Sequence, residues 1–337
     1  MSQVRFLSGA LDGEAVSIRE LVEQAEREPL ADSDGKSGAM LERAVLGDGR
    51  SIVVKRFDPE ADLVMQASGD TRGREVEMWE SGVFDRLPAD VGHAVLDGWF
   101  DDDGLGVLVM RDLGDAVYGW QTRVTPDRCR SMLRSVTSLH RTFLEQPPSG
   151  LAPREAVIGL FEPDRLRPFA HEELVGYALR GWEIWADLVT DDVGQRVLAL
   201  AQDTGPLTEA LVNRPMTMVH ADLATVNMAF ETDHLTLIDW GMATSAPGAL
   251  DIGRFLVGCA HVLDVDRDAF LAMYREEARD SYDEAATRLG LLGGLVWQGW
   301  NKALDIVDHP DEKVREREKA ALPWWLDRAR EALVIDM

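Results

Sequence analysis

The sequence predicts an α+β protein in which a small antiparallel β-sheet with one helix precedes a larger, mainly helical lobe. Its 337 residues suit two lobes, or one large domain plus an insertion. Before residue 111, short apolar runs alternate with turn-forming residues such as Asp48-Gly49. After residue 126, helical patterns dominate, and only residues 216–238 interrupt them.

The first lobe begins with a helical pattern over residues 14–27, which we expect to end at Pro29 because proline cannot continue a helix. The order strand, strand, helix, strand, strand follows, and the predicted ranges are residues 39–46, 51–57, 72–87, 94–100 and 105–110. The character of the chain then changes, so we place the two lobes at residues 1–113 and 114–337.

The composition restricts the partners and the compartment of the protein. A formal net charge of −25 argues against nucleic-acid binding, which depends on Lys and Arg contacts to phosphates. An acidic surface attracts cationic small molecules, although it serves solubility equally well. Cys129 and Cys259 match no metal or disulfide spacing. Because the sequence shows no secretory signal and no apolar run of about 18 residues, we expect a cytoplasmic protein that does not cross a membrane.

The most informative motif begins at His220. It reads His220-x-Asp222-x-x-x-x-Asn227, and Asp239 ends the next apolar run. In phosphoryl transfer, one carboxylate takes a proton from a hydroxyl, while an amide and a second carboxylate hold magnesium against a nucleotide triphosphate. The side chains of Asp222, Asn227 and Asp239 are therefore the parts that a phosphoryl-transfer enzyme needs. The alternative is a polar loop in which these side chains only cap turns.

Two buried strands are expected on either side of this motif. Residues 216–219 and 235–238 are short apolar runs bounded by polar residues, which is typical of such strands. A hairpin that joins them through residues 220–234 would bring the polar side chains to one rim.

Lys55 lies within an apolar strand pattern, where an unpaired ammonium group is costly. One interpretation is an edge-strand lysine whose head reaches water. The other is a lysine that pairs with a helix glutamate and contacts nucleotide phosphates, and the acidic helix downstream favours this second interpretation. Glu75 is our first choice for the partner and Glu80 the alternative, since both flank the inward-facing stripe of that helix.

A glycine-rich segment, Gly35-Lys-Ser-Gly38, precedes this lysine. It does not have Walker spacing, because position 30 is leucine where the motif needs glycine. A loop between two strands can still cover phosphates with its backbone N–H groups. We therefore include Gly35, Ser37 and Gly38 among the predicted nucleotide-binding residues.

Together these features resemble the aminoglycoside phosphotransferase family of small-molecule kinases, which shares the protein-kinase-like fold. The resemblance spans the chain from about residue 35 to residue 255. Besides the motif at His220, it rests on Ile238-Asp239-Trp240, on residues 248–253, on residues 74–79 with Leu87-Pro88, and on residues 108–113.

The resemblance implies that Asp222 would orient or deprotonate the acceptor hydroxyl, and that Asn227 and Asp239 would bind magnesium. Lys55, held by Glu75, would contact the α- and β-phosphates of the nucleotide. A hinge that includes Met110, Asp112 and Leu113 would hold adenine through its backbone. His220 and Asp251 would shape the catalytic loop. The cofactors implied are ATP, or GTP, and Mg²⁺.

Two departures point away from a protein kinase. Ala221 stands where protein kinases carry arginine, and no Ala-Pro-Glu motif follows Asp239. The expected enzyme is an ATP-dependent phosphotransferase that acts on a hydroxyl of a small molecule, with an aminoglycoside, peptide or nucleoside antibiotic as the first choice of acceptor. A metabolic kinase for an amino sugar, choline or homoserine-like acceptor is the alternative. A non-catalytic pseudokinase is disfavoured because the catalytic residues are present.

The acceptor site is expected in the helical lobe beside Asp222. Trp297 and Trp300 lie near Asn301 and Asp305 in one helical segment, and two more tryptophans, Trp324 and Trp325, follow in the last helix. These aromatic residues either bind a sugar or nucleoside ring or only pack between helices. The acceptor itself and the oligomeric state stay open at this point.

Overall fold

A five-stranded antiparallel sheet forms the core of the first part of the chain in this computed structural model, which describes residues 17–30, 40–47, 49–231 and 234–335. The spatial order of its strands is β1-β2-β3-β6-β5. The strands of this part are β1 (Glu26–Pro29), β2 (Met40–Val45), β3 (Ser51–Arg56), β4 (Val91–His93), β5 (Val95–Phe100) and β6 (Gly106–Arg111), of which β4 lies outside the sheet.

Three short helices accompany this sheet: α1 (Ile18–Gln24), α2 (Leu63–Ser68) and α3 (Arg74–Glu80). Side chains alternate between the two faces of the sheet along each strand, and both faces are covered. On β6, Val107 and Val109 pack in a cluster with Val22 of α1, whereas Leu108 belongs to the cluster that contains Val76 of α3. The register pairs Lys55 of β3 with Leu108, which places the lysine on the α3 side.

The helical prediction for residues 14–27 is only partly right. Ser17 caps α1 through a capping box with Glu20, but the helix ends at Gln24 and residues 26–29 form β1. Pairing with β2, with Glu26 opposite Val45, replaces the helical hydrogen bonds. Pro29 is tolerated there because β1 is an edge strand. Residues 14–16 lie outside the described residues.

The helix predicted over residues 72–87 is shorter in the structure. It begins at Arg74 and ends at Glu80, and a separate 3₁₀ turn covers Phe84–Arg86. Gly82 between them has φ of 70°, a left-handed conformation that interrupts a right-handed helix and favours glycine. The prediction also omitted α2, which Asp62 caps by accepting a hydrogen bond from the Met65 N–H at 2.9 Å.

The second part of the chain is mainly helical, and short strands surround the predicted catalytic loop. The helices are α4 (Pro126–Thr142), α5 (Arg154–Ile158), α6 (Pro163–Leu166), α7 (Glu173–Leu188), α8 (Asp192–Gln202), α9 (Gly205–Val212), α10 (Ala249–Cys259), α11 (Arg267–Ala278), α12 (Glu284–Val307) and α13 (Glu312–Ala332). The strands are β7 (Thr217–Val219), β8 (Met228–Phe230), β9 (Leu235–Leu237) and β10 (Thr244–Ala246).

The pairing of these strands differs from the single hairpin that the sequence predicted. β7 pairs antiparallel with β10, whereas β9 pairs antiparallel with β8 and parallel with β4. The loop from residue 220 to residue 227 therefore leaves one small sheet and enters another. Apolar periodicity identified two of these strands but not their partners, because a run of three buried residues carries no register information.

The helices α10 and α12 approach each other unusually closely. A Cβ atom on Gly253 would lie 1.8 Å from the carbonyl oxygen of Gly290, and one on Gly294 would lie 2.3 Å from that of Gly253. Only glycine fits at these positions, so the two backbones are nearly in contact. This contact determines where α10 presents its polar side chains to the catalytic loop.

Within the described ranges, no helix combines the length and the apolar character that a membrane span requires.

A buried ion pair joins α12 and α13. Lys302 Nζ lies 2.9 Å from Glu318 Oε2, and Arg317 Nε donates to Glu318 Oε1 at 2.9 Å. Burial by itself raises the pKa of Glu318, but the Lys302 charge and these hydrogen bonds outweigh it and lower the pKa to about 2.

This pair predicts a pH-dependent stability difference between the wild type and Glu318→Gln. Because the folded-state pKa lies below the unfolded value, the ionised carboxylate contributes stability above about pH 4.5, and this contribution disappears as the pH falls towards about 2. Urea unfolding at pH 7 should show Glu318→Gln less stable by up to about 3 kcal/mol, with the gap narrowing towards pH 3. The surface variant Glu331→Gln is the control, and a pH-independent gap for Glu318→Gln would contradict the assignment.

Candidate active site

The backbone of the loop that begins at His220 is held by one buried carboxylate. Asp251 of α10 is fully buried and accepts hydrogen bonds from the His220 N–H at 3.0 Å and from the Ala221 N–H at 2.7 Å. His140 of α4 places its Nε2 atom 2.9 Å from the same carboxylate. These contacts hold Ala221 at φ of 65°, a left-handed conformation that costs an L-residue about 1 kcal/mol. The loop therefore turns sharply and presents the next residue, Asp222, to the cleft.

The ring of His220 links this loop to the segment that carries Asp239. It is fully buried, its Nε2 atom lies 3.0 Å from the Ile238 carbonyl oxygen, and its centroid lies 4.8 Å from that of Trp240. Among the described residues, its Nδ1 atom has no hydrogen-bond partner. Its position agrees with the structural role implied by the resemblance.

Asp222 and Asn227 are in direct contact. The Asn227 Nδ2 atom donates to the Asp222 carbonyl oxygen at 2.8 Å and to its Oδ2 atom at 2.9 Å. The Asp222 side chain is 27% exposed, so it is reached by solvent and is not part of the core. Because both hydrogen bonds leave from the nitrogen of Asn227, its amide oxygen is not used by them.

Asp239 is brought to the same edge by the β8–β9 hairpin. Asn227 precedes β8 and Asp239 follows β9, and the antiparallel register pairs Met228 with Leu237. The Ile238 N–H also donates to the Asn227 carbonyl oxygen at 3.1 Å. Asp239 itself has φ of 62°, and its side chain is 43% exposed.

Lys55 bridges two carboxylates at the cleft. Its Nζ atom lies 2.6 Å from Glu75 Oε1 and 2.8 Å from Asp239 Oδ1. The partner on α3 is thus Glu75, which is 1% exposed. The ammonium group thus joins the sheet-bearing part of the chain to the segment that follows β9.

The charges of this triad shift one another's pKa. Burial by itself lowers the pKa of Lys55, but the Asp239 and Glu75 carboxylates outweigh it and raise that pKa. The Lys55 charge lowers the pKa of Asp239, so this carboxylate is ionised at neutral pH. Burial raises the pKa of Glu75, and Lys55 only partly offsets this effect. The lysine is therefore a permanent cation in this arrangement.

The predicted hinge is tied to the sheet by its own side chains. Met110 lies on β6, opposite Val53 of β3. The Asp112 carboxylate accepts from Ser51 Oγ at 2.7 Å and from Arg43 Nε at 2.8 Å, and Leu113 precedes a 3₁₀ turn. Burial would raise the pKa of Asp112, but these hydrogen bonds outweigh it and lower the pKa. The Asp112 side chain therefore holds the end of β6 against the strands that carry Arg43 and Ser51.

Three predicted nucleotide-binding residues, Gly35, Ser37 and Gly38, lie outside the described residues. Two tryptophans proposed for the acceptor site, Trp297 and Trp300, are 7% and 5% exposed and pack against Phe161, with centroid distances of 5.8 and 5.3 Å. In the structure they are packing residues next to the site. This outcome follows the alternative that sequence analysis left open.

Two arginines at the site were missed by sequence analysis. Arg254 Nη2 donates to Asp222 Oδ1 at 2.8 Å, and Arg74 Nη1 donates to the Gly241 carbonyl oxygen at 2.7 Å. Arg254 follows Asp251 by three residues, so the two lie on one helical face. That spacing is the only sequence signal that would have identified it.

The oxygen donors at this edge fit a magnesium ion. Mg²⁺ prefers carboxylate and carbonyl oxygens, usually one or two from the protein, with phosphates and water completing an octahedron. The Asn227 amide oxygen and the Asp239 carboxylate are such donors. In the part of the chain that the structure describes, no three His, Cys, Asp or Glu side chains cluster closely enough to hold a metal.

Comparisons with known proteins agree with this fold and site. The model of a phosphotransferase enzyme family matches residues 44–286, well over half of the chain. The chain therefore belongs to this family, and it is a small-molecule phosphotransferase with a kinase-like fold. No curated protein sequence matches it.

Solved structures share the fold at low sequence identity. Choline kinase LicA from Streptococcus pneumoniae is 14% identical, with a TM-score of 0.53 over 90% of this chain and 93% of that one. An ethanolamine kinase from Plasmodium vivax is 13% identical, with a TM-score of 0.52 over 92% and 84%. The GDP complex of aminoglycoside 2'-phosphotransferase-IIIa is 11% identical, with a TM-score of 0.50 over 91% and 92%. The predicted kinase-like α+β fold is confirmed, with α2 in addition to the helices expected over residues 14–27 and 72–87.

The role of Asp251 predicts that Asp251→Asn destabilises the protein and disrupts the loop. An asparagine has only one side-chain oxygen, so its NH₂ group would face one of the two backbone N–H donors. We expect the free energy of unfolding to fall by about 3 kcal/mol, measured by urea denaturation, together with a loss of phosphate transfer. Asp266→Asn at the exposed start of α11 is the matched control, because asparagine caps a helix as well as aspartate. Equal effects of the two variants would refute this role of Asp251.

Proposed function

We propose that this protein transfers the γ-phosphate of ATP, or GTP, to a hydroxyl group of a small molecule, with Asp222 as the base. The convergence of Asp222, Asn227, Asp239 and the Lys55–Glu75 pair at one cleft edge supports the proposal most strongly. A lysine cation and a permanent carboxylate 2.8 Å apart offer a site for phosphates and for the metal that accompanies them.

In the proposed reaction, Asp222 accepts the proton of the acceptor hydroxyl. The hydroxyl oxygen forms its bond to the γ-phosphorus, and the bond from that phosphorus to the bridging oxygen of the β-phosphate breaks, so that the nucleoside diphosphate leaves. Lys55 keeps its hydrogen bond to Glu75 and donates to the phosphates in place of Asp239. Asn227 and Asp239 would hold a magnesium ion, which would supply positive charge to neutralise the phosphate oxygens.

We infer that the acceptor is an antibiotic of the aminoglycoside, peptide or nucleoside type, and the net charge of −25 supports a cationic molecule of this kind. Choline and ethanolamine kinases share the fold as well, so the fold does not distinguish a resistance enzyme from a metabolic one. A metabolic kinase for an amino sugar, choline or homoserine-like acceptor is therefore the second candidate. The proposal also places the protein in the cytoplasm, where the free thiols of Cys129 and Cys259 stay reduced.

The acceptor class can be identified by a phosphate-transfer screen. Purified protein would be incubated with radiolabelled ATP or GTP and Mg²⁺ together with aminoglycosides, peptide and nucleoside antibiotics, amino sugars, choline and homoserine. Transfer to an antibiotic, with a raised inhibitory concentration in an expressing host, supports the resistance role. Transfer only to a metabolite favours the second candidate, and an absence of any transfer despite nucleotide binding would overturn the enzyme proposal.

Asp222→Ala should abolish transfer without abolishing nucleotide binding. A positioned base contributes about 10²- to 10⁴-fold to the rate, so we expect kcat to fall by that factor with the acceptor found in the screen. Thermal stabilisation by ATP and Mg²⁺ should persist, because Asp222 is not a proposed phosphate or metal ligand. Asp327→Ala, an exposed position on α13, is the control. Full activity in Asp222→Ala would show that another group acts as base.

Lys55→Met should weaken the interaction with the nucleotide. A lost hydrogen bond between charged groups costs about 1.5–3 kcal/mol, or roughly 10- to 150-fold in KM or Kd for ATP. Arg56→Met is the matched control, because successive residues of a strand point to opposite faces. Isothermal titration with ATP and Mg²⁺ would measure the change. Equal affinities in Lys55→Met and Arg56→Met would exclude the phosphate contact.

A further inference from the structure

Arg254 holds the proposed base from the side opposite to Asn227. Its Nη2 atom donates to Asp222 Oδ1 at 2.8 Å, while Asn227 Nδ2 donates to Asp222 Oδ2 at 2.9 Å. Each oxygen of the carboxylate therefore accepts a hydrogen bond from a different element. A carboxylate fixed in this way cannot rotate about its Cβ–Cγ bond without breaking one of the two contacts.

The guanidinium group of Arg254 is itself held in place. The residue is 6% exposed, and its Cζ atom lies 4.4 Å from the centroid of the Trp297 ring. Its Nη1 atom would lie only 2.9 Å from a Cβ atom added to Gly258, and Gln298 Oε1 would lie 3.3 Å from that same point. Gln298 interrupts α12 with non-helical angles of φ −126° and ψ 15°. The guanidinium group is therefore buried between the Trp297 ring, the Asp222 carboxylate and the backbone at Gly258, which leave it little freedom.

Burial of this arginine is not explained by hydrogen bonding alone. Among the described residues, neither the Nε nor the Nη1 atom of Arg254 has a hydrogen-bond partner. Leaving buried donors unsatisfied is costly, and a buried ion pair is seldom more stabilising than apolar side chains of the same size. The arrangement is thus poorly explained as a device for stability, and among the described residues its one ion pair is with Asp222.

We propose that Arg254 is a positioning residue that orients the Asp222 carboxylate for proton transfer. The inference rests on the proposed function, since it assumes that Asp222 is the base. Arg254 fixes Oδ1 and Asn227 fixes Oδ2, so the lone pairs that remain on the exposed side of the carboxylate face the acceptor hydroxyl. A misplacement of about 1 Å in such a group can reduce a rate about 100-fold.

The test compares Arg254→Met and Arg254→Lys with the wild type. Methionine keeps an apolar contact with Trp297 but removes the donor, whereas lysine restores a cation without the planar fork. We expect Arg254→Met to lower kcat about 10- to 100-fold, with KM for ATP and the thermal stabilisation by ATP and Mg²⁺ within about twofold of wild type. Arg254→Lys should recover part of the lost kcat. A purely structural role would instead lower stability and leave kcat of the folded fraction unchanged.

A second variant displaces the arginine without removing its charge. In Gly258→Ala the added methyl group meets Nη1, so the guanidinium must shift, and kcat should fall while KM for ATP stays constant. Gly176→Ala is the matched control, because a methyl group there meets no atom within 4 Å. Wild-type kcat in both Arg254→Met and Gly258→Ala would overturn the proposal.

A double-mutant cycle with Asp222→Asn separates this inference from the proposed function. If Arg254 acts through Asp222, Arg254→Met should cause no further loss of kcat in the Asp222→Asn background. Full activity of Asp222→Asn alone would refute the proposed base. A large loss in Asp222→Asn combined with an additive loss from Arg254→Met would refute only the positioning role.

Discussion

The Asp251 carboxylate is the interaction on which the rest of the site depends. It gathers two backbone N–H groups of the catalytic loop and the His140 ring around one fully buried charge. Hydrogen bonds to an ionised acceptor are stronger than neutral ones, so they can maintain the left-handed turn at Ala221. Without that turn, Asp222 would not emerge from the core next to Asn227.

The position of Asp251 is determined by helix packing rather than by the loop. Glycines at 253, 290 and 294 bring α10 and α12 nearly into backbone contact, and this contact places Asp251 and Arg254 under the loop. The same face of α10 thereby holds the backbone of the loop at His220 and contacts Asp222, the proposed base. Across the cleft, Lys55 joins Glu75 to Asp239, so the sheet-bearing part and the helical part of the chain meet through charged groups.

Much of this arrangement could be predicted because its signals are local. His220, Asp222 and Asn227 lie in one loop, so their spacing is visible in the sequence. The apolar neighbours of Lys55 indicate the strand that contains it. The choice between Glu75 and Glu80 could not be made in the same way, since both residues flank the same helical stripe. Residues 26–29 also mislead, because their helical pattern is overridden by pairing with β2. Arg254 was missed because its role depends on a contact with Asp222. In the sequence of α10 it is only one more polar residue.

The sequence by itself determined the types of the chemical groups and the class of fold, because residue identity and periodicity are properties of short segments. Only the tertiary structure decided which groups touch: Lys55 with Glu75, Asp222 with Arg254, and β7 with β10 rather than with β9. Contacts between residues far apart in the chain depend on the packing of whole helices and sheets. The residue spacing within a single segment does not specify that packing, so the contacts of Asp222, the proposed base, could be seen only in the fold.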